Sequence, residues 1–381
     1  MPATVLTPKI ISMSPIKVPY EHLGQLNAPY LDVFTATTRG VIEKGWYILG
    51  NEVANFETAF ATWLGAKHCI GVANGLDALI LPLLAADYPK GAEVIVPSNT
   101  YIATILAIVQ AGLKPVLAEP DPETYLITAE TIQPLINSNT VAIMVVHLYG
   151  RACVMEPIMN LAQQHELDVY EDCAQSHGAK HQGKHTGTFG KCSAFSFYPT
   201  KNLGALGDAG AIITNDDNLA VKLKAFRNYG SEKKYYNQYK GLNSRLDELQ
   251  AALLNIKLQD LAALNEHKKQ LAQLYRVLIQ HPEIVLPAID NDSEENVYHI
   301  FPIRCHRRDA LKAHLLEHGI ATEIHYPVPP HQQEGYQDVF KATDNYPIAS
   351  MIHATELSLP ISLVHTVEDV RYVASCINTF R

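Results

Sequence analysis

Several protein classes are argued against by what the sequence lacks. Its six cysteines, Cys69, Cys153, Cys173, Cys192, Cys305 and Cys376, include no CxxC pair, so neither a zinc ribbon nor a disulfide framework is indicated and reduced thiols are expected. No stretch reaches the roughly 18 apolar residues of a membrane span. The opening MPATVLTPKIISMSPIK carries prolines and only a short apolar patch, so neither membrane insertion nor export is expected and the expected location is cytoplasmic. Positive charge is in deficit: 30 Lys and Arg against 39 Asp and Glu leave a formal charge of −9. Without a basic arm, nucleic acid is not expected as a partner. Internal repeats and low-complexity tracts are missing as well.

What is present suits a large core with a satellite domain: 381 residues, 47% apolar and 18% charged. Between residues 52 and 215, seven β-branched apolar runs alternate with helical patterns. They are HCIGVA (68–73), EVIVPS (93–98), KPVLAE (114–119), VAIMVVH (141–147), DVYEDC (168–173), SAFSFY (193–198) and GAIITN (210–215). This alternation predicts an α/β fold with a helix-flanked, mostly parallel seven-stranded sheet. The short spacing before the seventh run predicts that this strand is antiparallel. Residues 243–280 keep helical spacing without internal proline or glycine, predicting a long connecting helix. VYHIFPIR (297–304) then reads as a strand, and RDALKAHLLEHG (308–319) as a helix closed by Gly319. The expected division is an N-terminal extension and arm (1–35), a large α/β domain (36–250), and a connecting helix with a small α+β domain (251–381).

Three segments carry candidate chemistry. AFSFYPTKNLGALGDAGAIITN sets Lys201 after a strand end, where open α/β sheets place ligands; Ser196 precedes it, and Gly204, Gly207 and Gly210 permit close backbone approach. A surface loop lysine is the plain alternative. DVYEDCAQSHGA ends a strand with Glu171 and Asp172. A buried carboxylate there needs a charged partner; the protonated pyridine nitrogen of pyridoxal 5′-phosphate (PLP) would serve, as would a structural ion pair or an N-cap role. GVANGLDALILPLL reads as strand, tight turn and helix, whose first N–H groups make a phosphate site.

Other groupings carry less. His177, His181 and His185 recur every four residues, but Gly178 and Gly183 argue against the continuous helix a metal site of that spacing needs. No metal is expected. Asp121 and Glu123 read as a capped turn, and Arg245 as a phosphate contact or as a salt-bridge partner of Asp247 or Glu248.

WYILGNEVANFE, GVANGLDAL, EVIVPSNTYIAT, HLYG, EDCAQSHGA, SFYPTKNLGALGD, NSRLDELQAALL and HYPVPPH together resemble the DegT/DnrJ/EryC1/StrS group of nucleotide-sugar aminotransferases, from about Pro19 to the C-terminus. NSRLDELQ and HYPVPPH are most similar to the dTDP-3-keto-6-deoxyhexose 3-aminotransferases. The resemblance implies a fold-type I, aspartate aminotransferase-like PLP enzyme in which Lys201 carries the cofactor as a Schiff base. It implies that Gly75, Leu76 and Ser196 hold the phosphate, Asp172 meets the pyridine nitrogen, Gln175 lies near the ring's 3-hydroxyl and Tyr101 stacks on the ring. Asn243 would reach the phosphate from the neighbouring subunit of a homodimer with shared active sites. Leu76 departs from many relatives, which carry Thr or Ser there, leaving only its backbone donor. Tyr198, His325 and Tyr326, and less directly Tyr235 and Tyr236, become candidate sugar-nucleotide contacts, each with a half-buried structural role as the alternative.

The implied reaction moves nitrogen from glutamate to a dTDP-3-keto-6-deoxyhexose, yielding a 3-amino-3,6-dideoxyhexose destined for a cell-surface glycan such as O-antigen lipopolysaccharide. A sugar 4-aminotransferase, a PLP-dependent sugar dehydratase and a non-catalytic binding or regulatory protein are the alternatives. The dehydratases usually replace the Schiff-base lysine with histidine, whereas Lys201 is present.

Overall fold

The computed structural model describes residues 15–233, 235–289, 294–341 and 345–381. The first fourteen residues of the expected N-terminal extension lie outside that set.

All seven apolar runs form strands of one sheet: β1 (His68–Val72), β2 (Glu93–Pro97), β3 (Lys114–Ala118), β4 (Thr140–Val146), β5 (Asp168–Asp172), β6 (Cys192–Ser196) and β7 (Gly210–Thr214). Their order is β1-β7-β6-β5-β4-β2-β3, and β7 runs antiparallel to both β1 and β6. The remaining neighbours pair in parallel. Runs rather than alternations encode these strands because helices cover both faces. In β2, for example, Val94 and Val96 join one apolar core while Ile95 joins another across the sheet, as the two-residue strand period requires. A third cluster packs Phe56 and Phe60 of helix Asn51–Leu64 edge to face against Phe197 and Phe195.

The expected long helix is two helices, Glu248–Leu258 and Leu261–Leu278, and residues 243–247 are not helical. The break divides two burial duties. Ala251, Leu254 and Leu258 of the first helix pack into the core beside the sheet. Leu271, Ala272 and Tyr275 of the second belong to a separate C-terminal core. The strand expected over 297–304 is also shorter: β8 covers Phe301–Arg304 and pairs antiparallel with β9 (Glu356–Leu359). Upstream of β8 the backbone is drawn to the large sheet unit instead, with Val297 N–H bonding Gly150 O and Ile300 N–H bonding Tyr149 O. Helix Arg308–Glu317 ends just before Gly319, whose φ of +76° supplies the left-handed turn expected at its end. No helix among the described residues is long and apolar enough to cross a membrane.

Candidate active site

The parallel strands β1, β2, β4, β5 and β6 deliver their C-terminal ends to one edge of the sheet, the edge where such sheets place ligands. After β1 the chain turns at Asn74 into helix Gly75–Ala86, and the Asn74 side chain caps that helix by accepting the Asp77 N–H at 2.8 Å. The N–H groups of Gly75 and Leu76 open the helix and have no intrahelical acceptor. A Cβ on Gly75 would lie 2.6 Å from the Ser196 Cβ, and one on Gly210 would lie 2.4 Å from the Asn74 carbonyl carbon. The two glycines therefore let Ser196, at the end of β6, close against the helix N-terminus. Together these groups form a cradle of anion donors.

At the end of β5 the two acids have different duties. Glu171 is fully buried and accepts the N–H groups of Gly187, Phe189 and Gly190 at 2.7 to 2.8 Å, and its Oε2 lies 3.1 Å from His147 Nε2. Because His147 Nδ1 accepts the Cys153 N–H at 3.0 Å, Nε2 carries the proton and donates to Glu171. Cys173 completes a cluster whose possible ligand atoms lie within 4.8 Å of one another. With Glu171 and both His147 nitrogens engaged in hydrogen bonds, that cluster is a hydrogen-bonded support beneath the site. Asp172 faces the other way. Its Oδ2 accepts the Thr104 hydroxyl at 2.8 Å and its Oδ1 the Ala174 N–H at 3.1 Å. Burial pushes its pKa up, and no salt-bridge partner meets it among the described residues.

Lys201 follows β6. Burial pushes its amine down to about 8, and the charge of Asp172 opposes that shift. Its Nζ lies 3.4 Å from Nε2 of His299, and burial holds the His299 ring well below its ordinary range, hence neutral. Gln175 accepts the Tyr149 N–H at 2.5 Å and donates to the Tyr326 hydroxyl at 3.0 Å. The Tyr101 and Tyr326 rings are 5.0 Å apart and the His325 and Tyr326 rings 5.4 Å apart. Residues from the sheet edge and from the C-terminal core thus converge on one cleft.

Not every expected residue is drawn in. Tyr198 is half exposed, Tyr235 and Tyr236 are largely exposed at 84% and 63%, and Asn243 is exposed. Arg245 pairs with neither Asp247 nor Glu248. It donates to Asn228 Oδ1 at 2.9 Å and stacks its guanidinium on Tyr229. Glu248 instead accepts three backbone N–H groups from residues 50–53. Asp121 forms the expected capped turn, accepting the N–H groups of Glu123 and Thr124. His181 and His185 sit on a two-stranded hairpin, so the three-histidine spacing never becomes one helical face. Thr104, Tyr149 and His299 were not singled out by sequence reasoning. Thr104 follows SNTY closely enough to have been considered, and HLYG contains Tyr149. His299 was absorbed into a strand pattern that gave no hint of its neighbour.

A seven-stranded sheet with one antiparallel strand, a smaller α+β unit and an amine facing a buried carboxylate at the strand ends define the fold-type I, aspartate aminotransferase-like class of transferases. The chain belongs to the DegT/DnrJ/EryC1/StrS aminotransferase family, whose profile matches residues 32–378. It is 51% identical over 363 residues to the dTDP-3-amino-3,6-dideoxy-alpha-D-galactopyranose transaminase of Aneurinibacillus thermoaerophilus, covering 95% of this chain and 99% of that protein. It is 42% identical to the dTDP-3-amino-3,4,6-trideoxy-alpha-D-glucose transaminase of Streptomyces venezuelae, over 84% of this chain and 85% of that one. The crystal structure of S. venezuelae DesV in complex with a ketimine intermediate superposes with a TM-score of 0.92 at 39% identity, covering 96% of this chain and 98% of that one.

Proposed function

We propose that this chain is a PLP-dependent transaminase that moves nitrogen from glutamate to C3 of a dTDP-linked 3-keto-6-deoxyhexose, working as a cytosolic homodimer. The observation that carries the reading is the buried amine of Lys201 and the buried carboxylate of Asp172 brought together at one sheet edge, in a chain half identical to a dTDP-3-amino-3,6-dideoxy-galactose transaminase along nearly its whole length.

The residues fit the cofactor. Gly75, Leu76 and Ser196 offer donors to a phosphate in a cradle that any Cβ at position 75 would fill. Asp172 offers a desolvated carboxylate to a cationic ring nitrogen, and Tyr101 an aromatic face. Gln175 would lie beside the ring's 3-hydroxyl. When bound, PLP supplies an electron sink for the carbanion that forms when a proton leaves the donor's Cα.

The chain's residues do the rest. Lys201, whose amine burial pushes down to about 8, serves as the nucleophile that anchors the cofactor and, once released, as the base that carries the proton. Asp172 would hold a proton on the ring nitrogen, and the Thr104 hydroxyl and the Ala174 N–H hold that carboxylate in place. His325, Tyr326 and Tyr198 would face the sugar nucleotide, with Tyr235 or Tyr236 at its periphery. Asn243, exposed on one subunit, would reach the phosphate of the other.

The test is the visible spectrum of the protein with PLP, before and after glutamate. The Lys201-linked band should collapse to the amine form of the cofactor and return on adding the keto-sugar nucleotide, with a 3-amino product seen by mass spectrometry. A band indifferent to glutamate would sink the donor assignment, and an amine at C4 would sink the regiochemistry.

A further inference from the structure

Behind His325 the C-terminal core buries a carboxylate that the reaction as described does not use. Glu356, the first residue of β9, has no exposure. Its Oε2 accepts the backbone N–H of His325 at 2.7 Å, and its Oε1 is hydrogen-bonded to the hydroxyl of Ser358. The same Ser358 Oγ lies 2.8 Å from Nδ1 of His325. Glu356, Ser358 and the His325 ring therefore form an unbroken chain of hydrogen bonds that leaves the ring's Nε2 at its open end.

We propose that Glu356, acting through Ser358, decides which ring nitrogen of His325 carries the proton, and so whether His325 presents a hydrogen-bond donor or an acceptor to the sugar. This rests on the reading above in which His325 contacts the sugar nucleotide.

Hydrogen-bond counting gives two arrangements. With Glu356 ionised, its oxygens can only accept. The single Ser358 proton then points to Glu356, Ser358 Oγ accepts from His325 Nδ1–H, and Nε2 is left with a lone pair. One added proton on Glu356 Oε1 reverses the direction. Glu356 donates to Ser358, Ser358 donates to Nδ1, and the imidazole proton resides on Nε2. His325 is neutral in both, because burial pushes its pKa down to about 4. The other oxygen of Glu356 accepts the His325 N–H throughout.

The surroundings make both states reachable. Burial pushes Glu356 up to about 8, against the charges of Arg308 and Lys312 on helix Arg308–Glu317. Arg308 spends its Nη1 on the backbone carbonyls of His353 and Glu356, not on the carboxylate. The other titratable groups facing Glu356 among the described residues are phenols: Tyr125, Tyr149, Tyr326 and, from the N-terminal segment, Tyr20. Tyr20 also interacts with Ser358, and its hydroxyl can donate to the spare lone pair of Ser358 Oγ in either arrangement. Burial raises all four, so each is neutral in the range where Glu356 titrates.

The experiment compares wild type, E356Q and S358A holoenzyme. In E356Q the amide oxygen must accept the His325 N–H, so its NH₂ faces Ser358 and imitates the protonated arrangement at every pH. The KM for the keto-sugar nucleotide should change about tenfold between roughly pH 6 and pH 9.5 in wild type, the worth of one hydrogen bond. It should be flat in E356Q, fixed at the wild-type low-pH value, and flat in S358A, while the pH profile of kcat stays the same in all three. In parallel, ¹⁵N-histidine NMR of wild type, with the His325 signals assigned by their loss in H325Q, should show Nδ1 and Nε2 exchanging roles with pH. An E356Q enzyme that keeps the wild-type pH dependence of KM would overturn the proposal, as would a His325 ring that holds one tautomer across the range. If neither variant folds, the wild-type NMR measurement decides alone. If wild type uses no keto-sugar nucleotide, the proposed function falls while the tautomer measurement still tests the relay.

Discussion

Lys201 Nζ lies 3.4 Å from Nε2 of His299, an amine beside a neutral imidazole. Neither ring nitrogen of His299 supplies a counter-charge, so the desolvation that pushes Lys201 down to about 8 is offset only by Asp172. The neutral, nucleophilic form gains population as pH rises. Capture of added PLP by the cofactor-free protein, followed by stopped-flow absorbance, should therefore speed up toward about pH 8 and level off above it. Lys201→Arg keeps the cation and removes the nucleophile. It should form no Lys201-linked band and lose at least ~10³-fold in turnover. A capture rate still climbing at the pH of an ordinary lysine would contradict the assignment.

Asp172 gives a prediction with opposite signs for two states of the protein. Its folded pKa is raised by burial, so its contribution is favourable while protonated and is lost as pH rises through the folded pKa. In the cofactor-free protein the Ala174 N–H, the Thr104 hydroxyl and the charge of Lys201 offset that desolvation only in part. Asp172→Asn should stabilise that form by about 1–3 kcal/mol, seen as a higher Tm at pH 7 and a shrinking difference as pH falls into the acid range. In the loaded enzyme the same change should lower kcat by roughly 10²–10⁴, because the ring nitrogen loses its anion. Equal Tm values for the two cofactor-free proteins at pH 7 would argue that Asp172 is already compensated.

Much of this arrangement was legible in the residues. The seven strands lie within two residues of their apolar runs because a sheet covered on both faces leaves no polar alternation to blur them. The antiparallel β7 followed from a connection too short for a crossover helix. What stayed hidden depends on where distant segments meet. Helical spacing continued through Gln259 and Asp260 because the pattern does not record which of two cores a turn faces. Val297 to Ile300 looked like strand until Gly150 and Tyr149 claimed their N–H groups. His299 and Glu356 are polar residues set in largely apolar stretches, and only the fold reveals that they stand behind Lys201 and His325.

The proposed phosphate cradle predicts a steric effect. At position 75 a methyl group would sit 2.6 Å from the Ser196 Cβ, closer than packed carbons approach. Gly75→Ala must push Ser196 away from the helix N-terminus, a strain of about 1–3 kcal/mol. Affinity for PLP should fall at least about tenfold by equilibrium titration, since donors held by that contact separate. Alanine at Gly91, where nothing lies within 4 Å but φ is +80°, controls for backbone strain alone: it should lower Tm and leave PLP affinity intact. Equal losses of PLP affinity in the two variants would remove the argument for a shaped cradle.

Glu248 predicts stability rather than chemistry. It is 2% exposed, and its carboxylate accepts the N–H groups of Gly50 at 2.7 Å, Glu52 at 2.9 Å and Val53 at 3.0 Å. These are donors at the start of helix Asn51–Leu64, and Gly50 itself provides no side-chain cap. The carboxylate thus caps one helix from the first turn of another, 198 residues away in sequence for the Gly50 bond. It also complements the positive end of that helix dipole. Glu248→Ala would leave one buried and two part-buried donors without their partner and should cost about 2–4 kcal/mol, more than an exposed N-cap deletion. Glu248→Gln retains only one acceptor oxygen and should fall between alanine and wild type. Chemical denaturation of the three proteins checks the order. If alanine costs no more than an ordinary surface substitution, water has replaced the carboxylate, and helix Asn51–Leu64 is anchored by its apolar face of Val53, Phe56, Phe60, Ala61 and Leu64.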